Sequence, residues 1–166
     1  MYQGGKPIRV LLIILLVLSF FSLSFMTLSD LKVADELYDR IHELNYKEFA
    51  RAPGFEERTL AIQHHKSDGD MYVDIYMNEV LEKVLEASEP IEQWPVGSLF
   101  VKETYADEEF VHIVASEKRE DGWVFMQWRT DGVAEFAGKP QVCLNCHMKG
   151  DDMVRAFRFP QYQKSK

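Results

Sequence analysis

The sequence predicts an α+β protein: a single transmembrane helix followed by a beta-rich domain built on an antiparallel sheet with flanking helices. Three observations carry this. No charged residue falls between Arg9 and Asp30. Beyond Asp30, apolar residues recur first at helical steps and later in short β-branched and aromatic runs. Those runs are bounded by Pro, Gly and Asp, which punctuate the connections between neighbouring strands.

The stretch from Ile8 to Leu28 is close to the ~20 apolar residues a helix needs to cross the hydrocarbon core. Lys6 and Arg9 precede it, so the positive-inside bias leaves Met1 in the cytoplasm and places everything after Asp30 across the membrane. The expected location is the inner (cytoplasmic) membrane, single pass, with the main domain on the periplasmic side. A cleaved signal peptide is the competing reading. Against it, the stretch is longer than a signal core, and Phe20, Phe21, Phe25 and Met26 stand where the small residues of an Ala-x-Ala cleavage site belong. The expected organisation is an anchor over 1–29, an amphipathic stalk or docking helix over 30–50, and one domain over 51–166.

Ser29 or Asp30 caps a helix in which Leu31, Ala34, Leu37, Tyr38, Ile41 and Leu44 form an apolar stripe. That stripe continues the membrane helix as a stalk, lies on the following domain, or meets a neighbouring subunit. Ala52-Pro53-Gly54 breaks the chain. Met71 to Asn78 reads as a strand. Asn78 then caps a helix to Ala87 with Val80, Leu81, Val84 and Leu85 at helical spacing. Ser98 to Tyr105, Phe110 to Ser116 and Trp123 to Arg129 are three further strands. Their boundaries are Pro95-Val96-Gly97, Asp107-Glu108-Glu109, Asp121-Gly122 and Asp131-Gly132.

With 166 residues, 46% of them hydrophobic, the chain can bury one sizeable core. Lys6 and Arg9 are the only charges in the first 28 residues; without them, 17 basic groups face 27 acidic ones, a balance of −10. Such a surface is a poor partner for nucleic acid and suits solubility or a basic redox protein.

The most specific chemistry lies in Cys143-Leu144-Asn145-Cys146-His147. Two thiols separated by two residues can each form a thioether to a porphyrin vinyl group, and the adjacent His147 becomes the axial ligand of the iron: the attachment site of haem c. A redox dithiol or half of a zinc site is the alternative, but the chain holds only these two Cys and no second ligand pair follows. Thioether attachment is made outside the cytoplasm in bacteria, in keeping with an export signal.

Around this motif stand Arg51-Ala52-Pro53-Gly54-Phe55, Tyr72 to Asn78, Pro95-Val96-Gly97-Ser98-Leu99-Phe100-Val101-Lys102-Glu103, Gly122-Trp123 and the closing Asp152 to Pro160. In that order they resemble the cytochrome P-460 family, including its cytochrome c′-beta branch, over roughly residues 48–162. The resemblance implies a beta-rich, usually dimeric haem domain with His147 as proximal ligand and an often vacant distal side. Its catalytic members oxidise hydroxylamine with a lysine joined to the porphyrin edge, and Lys102 occupies that position; c′-beta members lack the link and bind nitric oxide or carbon monoxide. Catalytic members also place a distal carboxylate where this chain has Val114, and valine cannot take a proton.

Residues two apart on a strand share a face, so if Val114 looks at the iron, His112 and Phe110 do too, which makes His112 a candidate sixth ligand or distal donor. Met126 reads as core, Met148 follows His147 too closely to reach the opposite face, and Met153 is a weaker candidate. His64 and His65 sit on a polar loop, His42 on the stalk helix, and Trp94, Trp123 and Trp128 wall the crevice or the core. The expected function is a membrane-anchored periplasmic monohaem cytochrome passing electrons to redox protein partners or membrane complex subunits. Gas binding at a five-coordinate iron is the runner-up, and hydroxylamine oxidation the third reading.

Overall fold

The computed structural model describes residues 26–61, 70–87, 91–150 and 152–155. In chain order these form α1 (Leu28–Glu43), a short 3-10 turn (Tyr46–Glu48), β1 (Ala50–Arg51), β2 (Thr59–Leu60), β3 (Met71–Met77), α2 (Glu79–Glu86), β4 (Leu99–Ala106), β5 (Glu109–Arg119), β6 (Gly122–Arg129), β7 (Ala134–Phe136) and α3 (Gln141–His147). The strands make one antiparallel seven-stranded sheet in the order β1-β3-β4-β5-β6-β7, with β2 also paired to β3.

Among the described residues no helix is long and apolar enough to cross a membrane. That corrects the expected transmembrane element of the fold class, and with it the single-pass inner-membrane location. The apolar run that suggested both lies outside the described residues up to position 25. Local capping explains where the first described helix begins. Thr27 is extended, its hydroxyl accepts the Asp30 N–H at 3.1 Å, and the Asp30 carboxylate accepts the Thr27 N–H at 3.0 Å. This reciprocal cap starts α1 at Leu28, from a cap two or three residues earlier than Ser29 or Asp30.

Helix α1 lies on the sheet. Ala34, Leu37 and Ile41 are buried against Val101, Ile113, Ala115, Met126 and Trp128, and Arg40 pairs with buried Glu117 of β5. Strand alternation decides which side chains meet it. On β4, Leu99, Val101 and Glu103 face α1, whereas Phe100 and Lys102 face the other side. Glu103 and Lys102 therefore lie on opposite faces of the sheet. Glu103 is buried and accepts hydrogen bonds from Tyr46 at 2.7 Å, Tyr105 at 3.0 Å and Tyr76 at 3.2 Å, with Lys47 at 3.0 Å. Burial alone would raise its carboxyl, but these donors outweigh it and hold the group below the ordinary range. Burial, reinforced by the same carboxylate, pushes the Tyr76 phenol up to about 12.

Asp74 on β3 repeats the logic. Its buried carboxylate is held by Arg51 at 2.8 Å and Arg58 at 2.9 Å. Burial works against ionisation, yet the two guanidinium groups keep the pKa below its ordinary value. The opposite face of the sheet, with Val73, Met77, Trp123 and Phe125, packs against α2, α3 and the loop residue Trp94.

Two measurements test this architecture. Leu37→Ala is expected to lower the unfolding free energy by about 2–5 kcal/mol in denaturant titration, the usual range for emptying a buried leucine site; a loss under about 1 kcal/mol would mean α1 is not docked. Asp74 has a folded pKa below its unfolded one, so its stabilising contribution is present above the unfolded value of about 3.9 and lost as pH falls through the folded value. Asp74→Asn is expected to flatten the acid limb of the stability–pH curve, and an unaltered limb would show that Asp74 is not held ionised.

Candidate functional site

The attachment motif occupies α3, a helix entered through Lys139-Pro140. Pro140 fixes the approach, and its carbonyl accepts the N–H groups of Cys143 at 3.0 Å and Leu144 at 3.1 Å. One helical turn brings Cys143 and Cys146 to the same side, and His147 is the last helical residue. Both cysteines are half-buried, and burial raises the Cys143 thiol.

After His147 the chain turns back on itself. Gly150 approaches Val154 so closely that a Cβ there would stand 2.2 Å from the Val154 carbonyl oxygen, which admits no side chain. The turn is closed by Asp152 and Met153, both at positive φ, 43° and 65°, where a non-glycine residue is strained by about 1–2 kcal/mol. Its product is a hydrogen bond of 2.8 Å between His147 Nδ1 and the Met153 carbonyl. A carbonyl only accepts, so Nδ1 carries the proton and Nε2 keeps the lone pair. Burial also depresses the imidazole pKa and favours the neutral form. A neutral histidine whose second nitrogen is oriented by a backbone carbonyl is the state that ligates a metal.

His147 and the returning Met153–Arg155 segment form one side of a cleft of about 680 Å³, counting its open mouth. The sheet supplies Ile75, Phe100, Lys102, Val114 and Ser116, and Phe55 and Trp123 complete the lining. The register explains this grouping: Lys102 pairs with both Ile75 and Val114, and Ser116 with Phe125, so all of them lie on one face. Among the described residues no carboxylate lines the cleft. Its charged residues are Lys102 and Arg155, and burial pulls the Lys102 ammonium below the ordinary lysine range. Arg155 Nη1 also lies 2.8 Å from Cys146 Sγ.

The residues fit haem c. An apolar slot with cationic groups suits a flat macrocycle bearing acidic side chains, and the buried indole N–H of Trp123 finds no partner among the described residues. Among those residues, too, no three His, Cys, Asp or Glu side chains gather to hold a bare metal ion. A single histidine would suffice for a haem, whose porphyrin brings the remaining nitrogen ligands of the iron with it.

Of the sequence-derived candidates, Cys143, Cys146, His147, Lys102 and Val114 come together here. His112 lies opposite Thr104 and Arg129 on the same strand face as Val114, but it does not line the cleft. Phe110 is on the other face. Thr104 pairs with His112 and Tyr105 with Phe110, so Val111 is a bulged extra residue that inverts the alternation, and Phe110 packs on Tyr105 at 5.6 Å and the α1-side core. Met126 and Trp128 are α1-side core, Met148 is exposed, and His42 packs on Tyr38 at 4.2 Å, remote from the cleft. His64 and His65 lie outside the described residues. Phe55, Ile75 and Arg155 entered the sequence reading only as members of the segments that carry the resemblance, and it is the register and the return turn that bring them to the cleft.

No family model matches the chain, and no curated protein matches it.

His147→Gly keeps both thiols, so the variant is expected to retain bound haem while losing the axial band pattern in its absorption spectrum, with added imidazole restoring it. An unaltered spectrum would place the ligand elsewhere.

Proposed function

We propose that this protein is a monohaem c-type cytochrome of the P-460 kind, of the c′-beta type, that keeps the sixth iron position open for a small neutral ligand such as nitric oxide or carbon monoxide. One observation carries the reading: beside His147 and the cationic Lys102 and Arg155, the cleft is lined mainly by apolar groups such as Phe55, Ile75, Phe100 and Val114, with no second histidine and no carboxylate among the described residues. A haem held here would supply an iron to which a small diatomic molecule could bind. The chain does the rest. Cys143 and Cys146 would hold the macrocycle, the Met153 carbonyl orients His147, and the apolar wall of Phe55, Ile75, Phe100 and Val114 would disfavour larger polar ligands.

Hydroxylamine oxidation has little support, because proton removal needs a base within hydrogen-bond reach and Val114 stands where one would be required. Electron transfer is the second reading. Val142 and Met148, 57% and 56% exposed, flank the attachment motif and offer an apolar contact patch to a redox partner. It ranks below gas binding here, the reverse of the sequence-based order, because that order rested on a membrane anchor.

The ferric and ferrous proteins are expected to be five-coordinate and high-spin, with carbon monoxide shifting the ferrous Soret band. Val114→His is expected to convert them to six-coordinate low-spin forms and to weaken carbon monoxide binding by about tenfold or more, or about 1.4 kcal/mol. A low-spin unsubstituted protein inert to carbon monoxide would favour electron transfer instead.

A further inference from the structure

Asp152 lies outside the attachment motif, five residues after His147. Its carboxylate is held by two segments distant in sequence. Oδ2 accepts the backbone N–H of Trp94 at 2.8 Å, and the Lys118 ammonium sits 2.7 Å from Oδ1 and 3.0 Å from Oδ2. The pair is largely desolvated, with side-chain exposures of 15% for Lys118 and 13% for Asp152. An ion pair in that setting, with a further N–H on the same carboxylate, fixes geometry in a way that an exposed pair does not.

What it fixes is the turn that serves the axial histidine. Asp152 and Met153 both occupy the left-handed region, a conformation that persists for non-glycine residues only where the surroundings over-determine it. Gly150 packed on Val154 closes one end of the turn; the Asp152 carboxylate pins its middle to β5 and to the Trp94 backbone. The very next carbonyl, that of Met153, receives the His147 Nδ1 proton. We propose that Asp152 is a positioning residue: the Lys118–Asp152–Trp94 clamp holds the Met153 carbonyl on His147 and so sets how strongly that imidazole donates to a bound haem iron. A firm Nδ1–H···O bond makes the imidazole a better donor and stabilises the oxidised metal; loosening it does the opposite. The proposal rests on the haem reading above.

The test uses the full-length holoprotein and its variants Asp152→Ala, Asp152→Asn and Lys118→Met. Asp121→Ala serves as a control that removes the exposed ion pair with Lys139. Pyridine haemochrome reports cofactor content, resonance Raman of the ferrous protein reports the iron–histidine stretch, and redox titration reports the midpoint potential. The expected result is a downward shift of the stretch and an upward shift of the potential in the clamp variants, with none in Asp121→Ala. Haem-loaded clamp variants with the unsubstituted protein's stretch and potential would overturn the proposal and leave Asp152 as a loop anchor. Should the Asp152 variants fail to fold, Lys118→Met decides in the same way, since it leaves Asp152 and the Trp94 hydrogen bond in place. Absence of a haemochrome signal from the unsubstituted protein is a different failure, that of the haem reading itself.

Discussion

The two-residue period of β4 and β5 is the constraint on which both halves of the molecule depend. A single sheet carries two interiors, one under α1 and one around the cleft, and neighbouring residues of the same strand serve opposite sides. Val101 is core under α1, Lys102 lines the cleft, and Glu103 sits in a nest of tyrosine hydroxyls on the α1 side. A slip of one residue would put an ammonium into the α1 core and a carboxylate into the apolar cleft, each an uncompensated buried charge. The hydrogen-bonded network at Glu103, the ion pairs at Asp74 and the docking of α1 all oppose that slip. The cleft is thus held in place from behind.

On this frame α3 adds the two cysteines and His147 at little structural cost. α3 contributes no buried residue of its own, and its position comes from Pro140 on one side and the return turn on the other. The turn matters more than its length suggests, since it supplies the acceptor that selects the tautomer of His147. The cleft itself combines an apolar lining with positive charge and lacks an acid or base on the sheet side other than Lys102. Such a lining offers few groups for proton chemistry.

The strands were legible because hydrophobic patterning and turn chemistry agreed. Ser98 to Tyr105 and Trp123 to Arg129 fall within a residue of β4 and β6, and Asn78 caps α2 as read. The strand Phe110 to Ser116 was recognised, but β5 runs on to Arg119, where charged residues hide its continuation. β1, β2 and β7 are two or three residues long and exist only through pairing, so no local pattern marks them. The bulge at Val111 left no mark either, and it cost Phe110 its expected place beside Val114. The cysteines and His147 were plain from spacing. Asp152 was not: its partners lie 58 and 34 positions away, a relation that only the folded chain makes visible. Apolar length near the N-terminus suggested a membrane span, whereas the first described helix proved to be a capped, amphipathic element lying on the sheet.

All of the site chemistry presupposes a porphyrin joined to Cys143 and Cys146. The most direct measurement is the intact mass of the purified, denatured chain, expressed with a haem-attachment system. The account predicts a polypeptide heavier by one covalently retained haem, with that increment absent from a double Cys143→Ser, Cys146→Ser chain. A wild-type chain of bare polypeptide mass would contradict it.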